Sequence, residues 1–145
     1  AKLLKNFKNF EYYDHQGSHF APHLVHKSMW NKVGGFSEEF NPGIGSDPDF
    51  NMKLWNEGVR IFKGINLCRI YHFSSTTTRK NKSVKKNKGD LTFLIKWGIT
   101  SKFFKKKYLK SKTKYEGPLG EPIKDFTFFL ELLFCKLKLI YAKFI

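Results

Sequence analysis

Two carboxylates stand on either side of a proline where the sequence predicts the start of a helix. Asp47 and Asp49 flank Pro48, directly after the loop Asn41-Pro42-Gly43-Ile44-Gly45. Paired carboxylates can supply a general base or hold a divalent cation. They can equally cap a helix and complement its dipole, because the proline favours an extended backbone at Asp47. The residues alone leave both interpretations open.

The loop before this helix start contains two glycines, Gly43 and Gly45. Exposed backbone N–H groups in such a loop can cradle a phosphate. However, no lysine follows at the spacing of a phosphate-binding loop, and the pattern GxGxxG is absent. The neighbouring carboxylates would also repel phosphate unless a cation lay between them. We therefore expect this loop to shape a site rather than to bind phosphate itself.

Histidines form a second group of candidate residues. Spacings of 4, 4 and 3 residues separate His15, His19, His23 and His26, which on one helix would share a face and could bind a metal. Proline occurs inside this span, and a proline in a helix interior costs about 3 kcal/mol. We therefore expect loop and strand-end histidines here, with a metal site as the alternative.

A fifth histidine, His72, follows Tyr71 and precedes a run of hydroxyl side chains. A neutral imidazole at the end of a strand can ligate a metal or act as a base. The same pattern also occurs as a polar strand end without chemistry, so both interpretations stay open.

The elements that must position these side chains follow from glycine, proline and apolar spacing. The pattern predicts an extended segment or strand over Phe20–His26 and a short helix over Lys27–Val33, closed by two glycines. A helix with a capping side chain then starts at Ser46-Asp47-Pro48 and runs to about Glu57, before Gly58. Its inward stripe is Phe50, Leu54 and Trp55.

Later elements are predicted from the same signals. Two short strands are expected over Val59–Phe62 and Leu67–Phe73, with a glycine, Gly64, between them. Two short helices follow over Asp90–Trp97 and Ser101–Leu109, the second capped by Thr100, and then a turn-rich linker over 117–122. Four charged residues interrupt the apolar tail Phe126–Ile145, which favours an interfacial or core-packed helix over a membrane span.

Composition and charge bound the class of protein. The chain has 145 residues, 41% of them hydrophobic and 17% aromatic, which is enough for the core of one domain. Two cysteines without metal-ligand spacing indicate a reducing, cytoplasmic compartment. No secretion signal opens the sequence, and its first residue is alanine, so we expect an N-terminal portion to be missing.

Basic residues divide the chain into parts. Lysine and arginine outnumber aspartate and glutamate by 27 to 12, and residues 79–114 hold 14 basic residues with Asp90 as their one acid. We therefore predict a part carrying the chemistry over 1–78, a basic helical segment over 79–116, and a linker with an amphipathic helix over 117–145. Nucleic acid is not the expected partner, because readout favours arginine and the whole chain contains three.

The basic segment and the tail have two open interpretations. Clustered lysines contribute about 1 kcal/mol each near anionic lipid, and buried phenylalanine and leucine add to the binding. This pattern is typical of attachment to the inner face of a membrane. Alternatively, the tail packs on the portion of the protein that precedes this sequence.

The order of these pieces resembles the C-terminal half of a family 2 nucleotide-sugar glycosyltransferase with the GT-A fold. The resemblance covers roughly residues 18 to 78 and rests on Val33-Gly34-Gly35-Phe36-Ser37-Glu38, Ser46-Asp47-Pro48-Asp49 and Tyr71-His72-Phe73-Ser74. In that family a helix ends in Val-Gly-Gly-Phe-Asp-Glu, a later helix starts with Glu-Asp-x-Asp, and a strand ends in histidine. The implied fold is α/β, a partial GT-A domain of short mixed strands and helices followed by C-terminal helices.

The resemblance also implies roles for single residues. Asp47 matches the general base that takes the proton of the acceptor hydroxyl, a step worth roughly 10²–10⁴-fold in rate. His72 matches the histidine that helps to hold a divalent cation, Mg or Mn, at the donor diphosphate. Gly45, Ser46, Asp49 and Trp55 are implied at the substrate. Ser46 replaces the family's glutamate, Asp49 has a structural alternative, and Trp55 could stack on a sugar or lie in the core.

The expected function is therefore transfer of a sugar from a nucleotide-sugar donor to a hydroxyl of a saccharide or lipid-linked acceptor, with inversion, as in polysaccharide biosynthesis. The family's nucleotide-binding half would precede this sequence, so activity is expected of the completed protein rather than of this chain alone. Two alternatives belong to other classes: a lysine-rich module that binds a membrane surface without catalysis, and a nucleic-acid-binding protein.

Overall fold

Helices dominate the computed structural model, which describes residues 13–68 and 88–144. Within these ranges the fold is mixed α/β, about half helical, with one two-stranded sheet. The elements in chain order are β1 (His15–Gln16), α1 (Lys27–Val33), a 3₁₀ turn (Glu38–Phe40), α2 (Ser46–Asn56), β2 (Lys63–Gly64), α3 (Gly89–Trp97), α4 (Ser101–Phe103), a π-helical turn (Phe104–Tyr108) and α5 (Phe126–Lys143).

The predicted bounds of α1 are confirmed. The side chain of His26 caps its start by accepting a hydrogen bond from the backbone N–H of Ser28. Gly34 ends the helix with a left-handed backbone at φ 71° and donates its N–H to the carbonyl of Asn31. A left-handed residue after the last turn is the position at which glycine is favoured.

The helix that carries both carboxylates exists, but its predicted cap is wrong. Gly45, at φ 90°, is the N-cap of α2, and no side chain caps the helix. A Cβ at Gly45 would lie 2.8 Å from the Phe40 ring and 2.9 Å from the carbonyl oxygen of Gly89, so only glycine fits this turn. Asp47 is consequently already helical, and capping does not account for its carboxylate.

Two predicted segments contain no strand. Over 20–26, where the sequence predicts a strand or an extended segment, the strand does not form, since Pro22 has no N–H to contribute to a sheet. Residues 59–62 are also irregular, and the strand lies instead at Lys63–Gly64, pairing antiparallel with His15–Gln16. Gly64 belongs to the strand because the ring of His15 fills the space that a side chain would need. The strand predicted over Leu67–Phe73 lies mostly outside the described residues.

The C-terminal helices agree with prediction except in one turn. α3 covers the predicted range, and Thr100 caps α4 by accepting the N–H of Phe103 at 3.1 Å. The helix expected over Ser101–Leu109 changes after Phe103 into a π-helical turn, a widening often found at functional sites. The linker over 117–122 contains no helix or strand, and Asp125 caps α5.

The core lies between α2, α3, α4 and the inner face of α5. It is built largely from aromatic rings and includes Phe40, Phe50, Leu54, Trp55, Phe62, Phe93, Phe103, Phe104, Leu109 and Phe128. The predicted inward stripe of α2 is therefore confirmed. None of the helices in the described ranges combines the length and apolarity needed to cross a bilayer.

Candidate functional site

Asp47 lies in the first turn of α2, with 30% of its side chain exposed. The Nδ1 atom of His23 is 3.9 Å from Oδ1 of Asp47. Burial lowers the pKa of His23, while the Asp47 carboxylate acts in the opposite direction. The site thus pairs a partly exposed carboxylate with an imidazole that favours its neutral form.

Asn51, one turn after Asp47 on α2, holds this pair in place. Its amide nitrogen donates to the backbone carbonyl of Asp47 at 2.7 Å and lies 3.3 Å from Nε2 of His23. It also reaches the backbone carbonyl of His19 at 3.4 Å. If Nε2 of a neutral His23 accepts from the amide, the proton of that ring sits on Nδ1, facing Asp47. A carboxylate supported in this way can accept a proton from a bound hydroxyl.

Asp49 occupies a very different place, although it is only two residues away. Its side chain is 0% exposed, and its carboxylate accepts from Ser37 Oγ at 2.7 Å and Trp97 Nε1 at 2.8 Å. Lys96 Nζ is 2.9 Å away, and Lys53 Nζ is 3.9 Å away. The carboxylate therefore ties α2 to α3 and to the segment after α1, and it has no open approach for a substrate.

The two lysines around Asp49 respond differently to their surroundings. Burial lowers the pKa of Lys53, and the attraction of Asp49 offsets this only in part. Burial also opposes the charge of Lys96, but hydrogen bonds to Glu39 and Asp49 together outweigh it and raise the pKa of Lys96. Lys96 is therefore the principal counter-ion of the buried carboxylate.

The remaining residues implied at the substrate are divided between the site and the core. Gly45 and Ser46 adjoin Asp47 at the start of α2, and Ser46 Oγ donates to the Gly43 carbonyl at 2.7 Å. Trp55 lies two turns further along, where it is buried in the core beneath the guanidinium of Arg60, 3.9 Å from the ring centroid. Both faces of its ring are covered by protein, so Trp55 is a core residue and does not stack on a sugar in this structure.

The histidines do not gather into one group. His26 caps α1 and His15 packs on β2, whereas the backbone carbonyl of His19 and the ring of His23 both contact the Asn51 amide nitrogen. Residues 13–68 and 88–144 contain no group of three or more histidine, cysteine or acidic side chains placed to hold a metal. The prediction for His72 falls outside the described residues.

Sequence reasoning missed two members of the site. It did not assign His23 to Asp47, and it did not select Asn51. The spacing of four residues between Asp47 and Asn51 was the available signal, because residues four apart on a helix are neighbours. The contact of His23 depends on an irregular segment, for which no comparable spacing rule exists.

Comparison with known proteins adds no relative. No family model, no curated protein sequence and no solved structure matches the chain. The function must therefore be argued from the site itself, and from the resemblance noted in its motifs.

Proposed function

We propose that the chain is the acceptor-side part of a GT-A glycosyltransferase, which transfers a sugar from a nucleotide-sugar donor to a hydroxyl acceptor. The observation that supports it best is the Asp47 carboxylate, which is partly exposed and faces His23. The Asn51 amide contacts both residues and holds them in place. A sugar hydroxyl is a poor nucleophile until a positioned base removes its proton. Asp47 has the exposure and the support that such a base requires.

In the proposed reaction the acceptor hydroxyl gives its proton to Asp47 as its oxygen attacks the anomeric carbon of the donor. The new glycosidic bond forms while the bond to the nucleoside diphosphate breaks, and the diphosphate takes that electron pair. His23 stabilises the arrangement by presenting Nδ1 to the carboxylate. Attack opposite the leaving group inverts the anomeric carbon, as the resemblance implies.

The divalent cation, Mg or Mn, remains a prediction attached to His72. Such a cation would supply positive charge to the leaving diphosphate. Asp47, His23, Asn51 and His19, which we name the Asp47 cluster, offer one carboxylate and two imidazoles. These side chains do not form a metal-holding group within the described ranges. The proton transfer assigned to Asp47 does not depend on the cation.

The test uses the protein expressed from its complete reading frame, with Asp47→Asn as the variant. Asparagine keeps the shape of the side chain but cannot accept the proton, so we expect transfer to fall roughly 10²–10⁴-fold. Asp14→Asn is a matched control, since the Asp14 side chain is also 30% exposed and pairs with a lysine, Lys63. Radiolabelled sugar transfer measures the effect, after circular dichroism shows both variants folded. An Asp47→Asn variant with half of the original activity would overturn the proposal.

A second candidate function, attachment to a membrane surface, is favoured by the outer face of α5. Apolar side chains recur there every three or four residues and are all exposed: Phe126, Phe129, Leu130, Leu133, Phe134, Leu137, Ile140, Tyr141 and Phe144. The opposite face packs Phe128 and Cys135 into the core. At 3.6 residues per turn, Lys136 and Lys138 fall about 100° to either side of this apolar stripe. A helix lying flat on anionic lipid has this arrangement.

Vesicle sedimentation separates the apolar and the electrostatic contributions. Replacing two stripe residues, Leu133→Gln with Leu137→Gln, keeps the net charge and should weaken binding about tenfold or more on all vesicles. The matched variant, Lys136→Gln with Lys138→Gln, should lose about 2 kcal/mol only on vesicles with anionic lipid. Unchanged binding of the leucine variant would exclude α5 as the attachment. Sugar transfer in solution should be unaffected by either change.

A further inference from the structure

A basic cavity lies beside the Asp47 cluster, and we name it the lysine pocket. It has a volume of about 540 Å³, and its lining includes His19, Phe20, Ser111 and five lysines. Its walls come from two distant parts of the sequence, the irregular segment after β1 and the stretch from α4 to the loop after the π-helical turn. No motif predicted that these parts would meet.

The charge of the lysine pocket is unbalanced. Five lysines line it and none of its lining residues is acidic. Lys106 pairs with Glu131 on α5 at 2.7 Å. Within the part of the chain that the structure describes, the other four lysines have no carboxylate within ion-pair distance: Lys102, Lys105, Lys110 and Lys112. Like charges brought together in this way repel one another, and a bound anion would relieve the repulsion.

Close backbone contacts join the two walls of the pocket, between the end of β1 and the loop after the π-helical turn. An added Cβ at Gly17 would clash with the backbone of Leu109 and Ser111, so glycine permits their close approach. Gln16 then donates its N–H to the carbonyl of Thr113 at 2.8 Å. Lys110 and Lys112 have left-handed backbones, at φ 48° and 77°, a conformation that residues with a Cβ rarely adopt. The contacts with β1 therefore offset strain in the loop that presents these lysines.

His19 gives the pocket a buried polar atom without a partner. The side chain is 3% exposed, and Nδ1 lies 2.8 Å from the carbonyl of Gly17 and 3.2 Å from Ser111 Oγ. Nε2 is buried and has no hydrogen-bond partner among the described residues. Buried polar atoms are nearly always satisfied, so the unpaired Nε2 is an exception, although its burial closes it off from the cavity itself.

We infer that the lysine pocket binds a phosphate or diphosphate group of the acceptor. Lysine ammonium groups are compact cations that suit phosphate oxygens. The pocket adjoins the proposed base, because the Asn51 amide that supports Asp47 also bonds to the His19 carbonyl at 3.4 Å. An acceptor anchored here by its phosphate would present a neighbouring hydroxyl to Asp47. The identification of the ligand as the acceptor rests on the proposed function, but the anion site does not.

Calorimetry with inorganic pyrophosphate and the full chain tests the pocket directly. We expect saturable binding that falls more than tenfold in Lys105→Gln with Lys110→Gln. The matched control, Lys124→Gln with Lys143→Gln, makes the same change in net charge outside the pocket and should change the affinity less than twofold. Equal weakening in both variants, or no saturable binding, would overturn the inference.

A second arm identifies the source of the phosphate. If the pocket binds a lipid phosphate, monomeric dihexanoyl phosphatidic acid will compete with pyrophosphate. If the pocket binds only a soluble phosphate ester, this lipid will not compete. Both results support an anion site. Pyrophosphate binding requires neither donor nor transfer. Its failure would therefore overturn the pocket alone, whereas a missing effect of Asp47→Asn on transfer with intact pyrophosphate binding would overturn the proposed function alone.

Discussion

Asp47 and Asp49 are identical side chains in the first turn of one helix, yet the fold treats them in opposite ways. Asp49 is 0% exposed, whereas Asp47 keeps 30% of its side chain in contact with solvent. The carboxylate of Asp49 accepts from a hydroxyl and an indole and pairs with lysine. Asp47 faces an imidazole at 3.9 Å, which is beyond hydrogen-bond distance.

The difference shows how a pair of carboxylates can be divided between structure and chemistry. A buried carboxylate whose oxygens are all occupied by protein donors stabilises the packing of helices, because any loss leaves charged partners behind. A carboxylate that keeps part of its surface in contact with solvent keeps the capacity to accept a proton from a bound hydroxyl. The environments therefore assign Asp49 to the fold and Asp47 to the proposed reaction.

The largest expected effect on stability comes from Asp49→Asn. Removing the charge leaves Lys53 without its buried counter-ion and Lys96 with Glu39 alone, and breaking a buried pair costs about 3–5 kcal/mol. The lysine side chains are 16% and 27% exposed, so water recovers part of the cost and we expect a loss of about 3 kcal/mol. Urea denaturation measures the free energy of unfolding.

Asp47→Asn is the matched control for this experiment, and it should change the free energy of unfolding by no more than about 0.5 kcal/mol. If Asp49→Asn and Asp47→Asn lower the free energy of unfolding equally, the structural contrast between the two carboxylates is wrong. Pairing Asp49→Asn with Lys96→Met should recover part of the loss, since an apolar replacement removes the stranded charge. Additive losses in that double variant would show that Lys96 is not the counter-ion.

A smaller effect is expected from Gly45→Ala, at the turn that orients both carboxylates. The left-handed backbone costs alanine about 1–2 kcal/mol. The new Cβ would also press on Phe40 and the Gly89 carbonyl, and mild overpacking adds about 1 kcal/mol, so we expect a total loss of about 2 kcal/mol. Gly58→Ala, at φ 83° beyond the other end of α2, meets no atom within 4 Å and should show the backbone cost alone. Equal losses of stability in Gly45→Ala and Gly58→Ala would mean that the turn at Gly45 shifts to make room for the added Cβ.

Local signals predicted most of the helices and the apolar face of α2. Glycine after α1 and apolar spacing in α2 act within one or two turns, so the sequence displays them directly. The cap of α2 was misassigned because it depends on the distant Gly89 backbone, which leaves room only for Gly45. The strand at Lys63–Gly64 was missed because a glycine is a poor strand former unless a partner fills its place.

The site could be predicted only in part for the same reason. The pattern indicated Asp47 and its neighbours, but it did not distinguish Asp47 from Asp49, since burial depends on partners from the distant α3. His23 and the lysine pocket depend on contacts of an irregular segment with α2 and with the loop after the π-helical turn. Such contacts are tertiary, and no periodicity in the sequence encodes them.

The smallest effect tests the Asp47–His23 pair by its protonation. Burial lowers the pKa of His23 below the value of about 6.5 expected when unfolded, so the folded protein binds fewer protons and loses stability as pH falls through that value. His19 is shifted in the same direction, also by burial, and each histidine contributes at most about 1.4 kcal/mol per pH unit.

Asp47→Asn should lower the pKa of His23 further, because it removes the carboxylate that favours the imidazolium and leaves burial unopposed. An NMR titration of the His23 ring measures this shift, and Asp14→Asn, which leaves the pair intact, should not produce it. The loss of stability on acidification should then extend to lower pH in Asp47→Asn, since the folded and unfolded pKa values lie further apart. An unchanged His23 pKa would mean that the two groups do not interact in solution, and Asp47 would lose the neighbour that sets it apart from an ordinary exposed carboxylate.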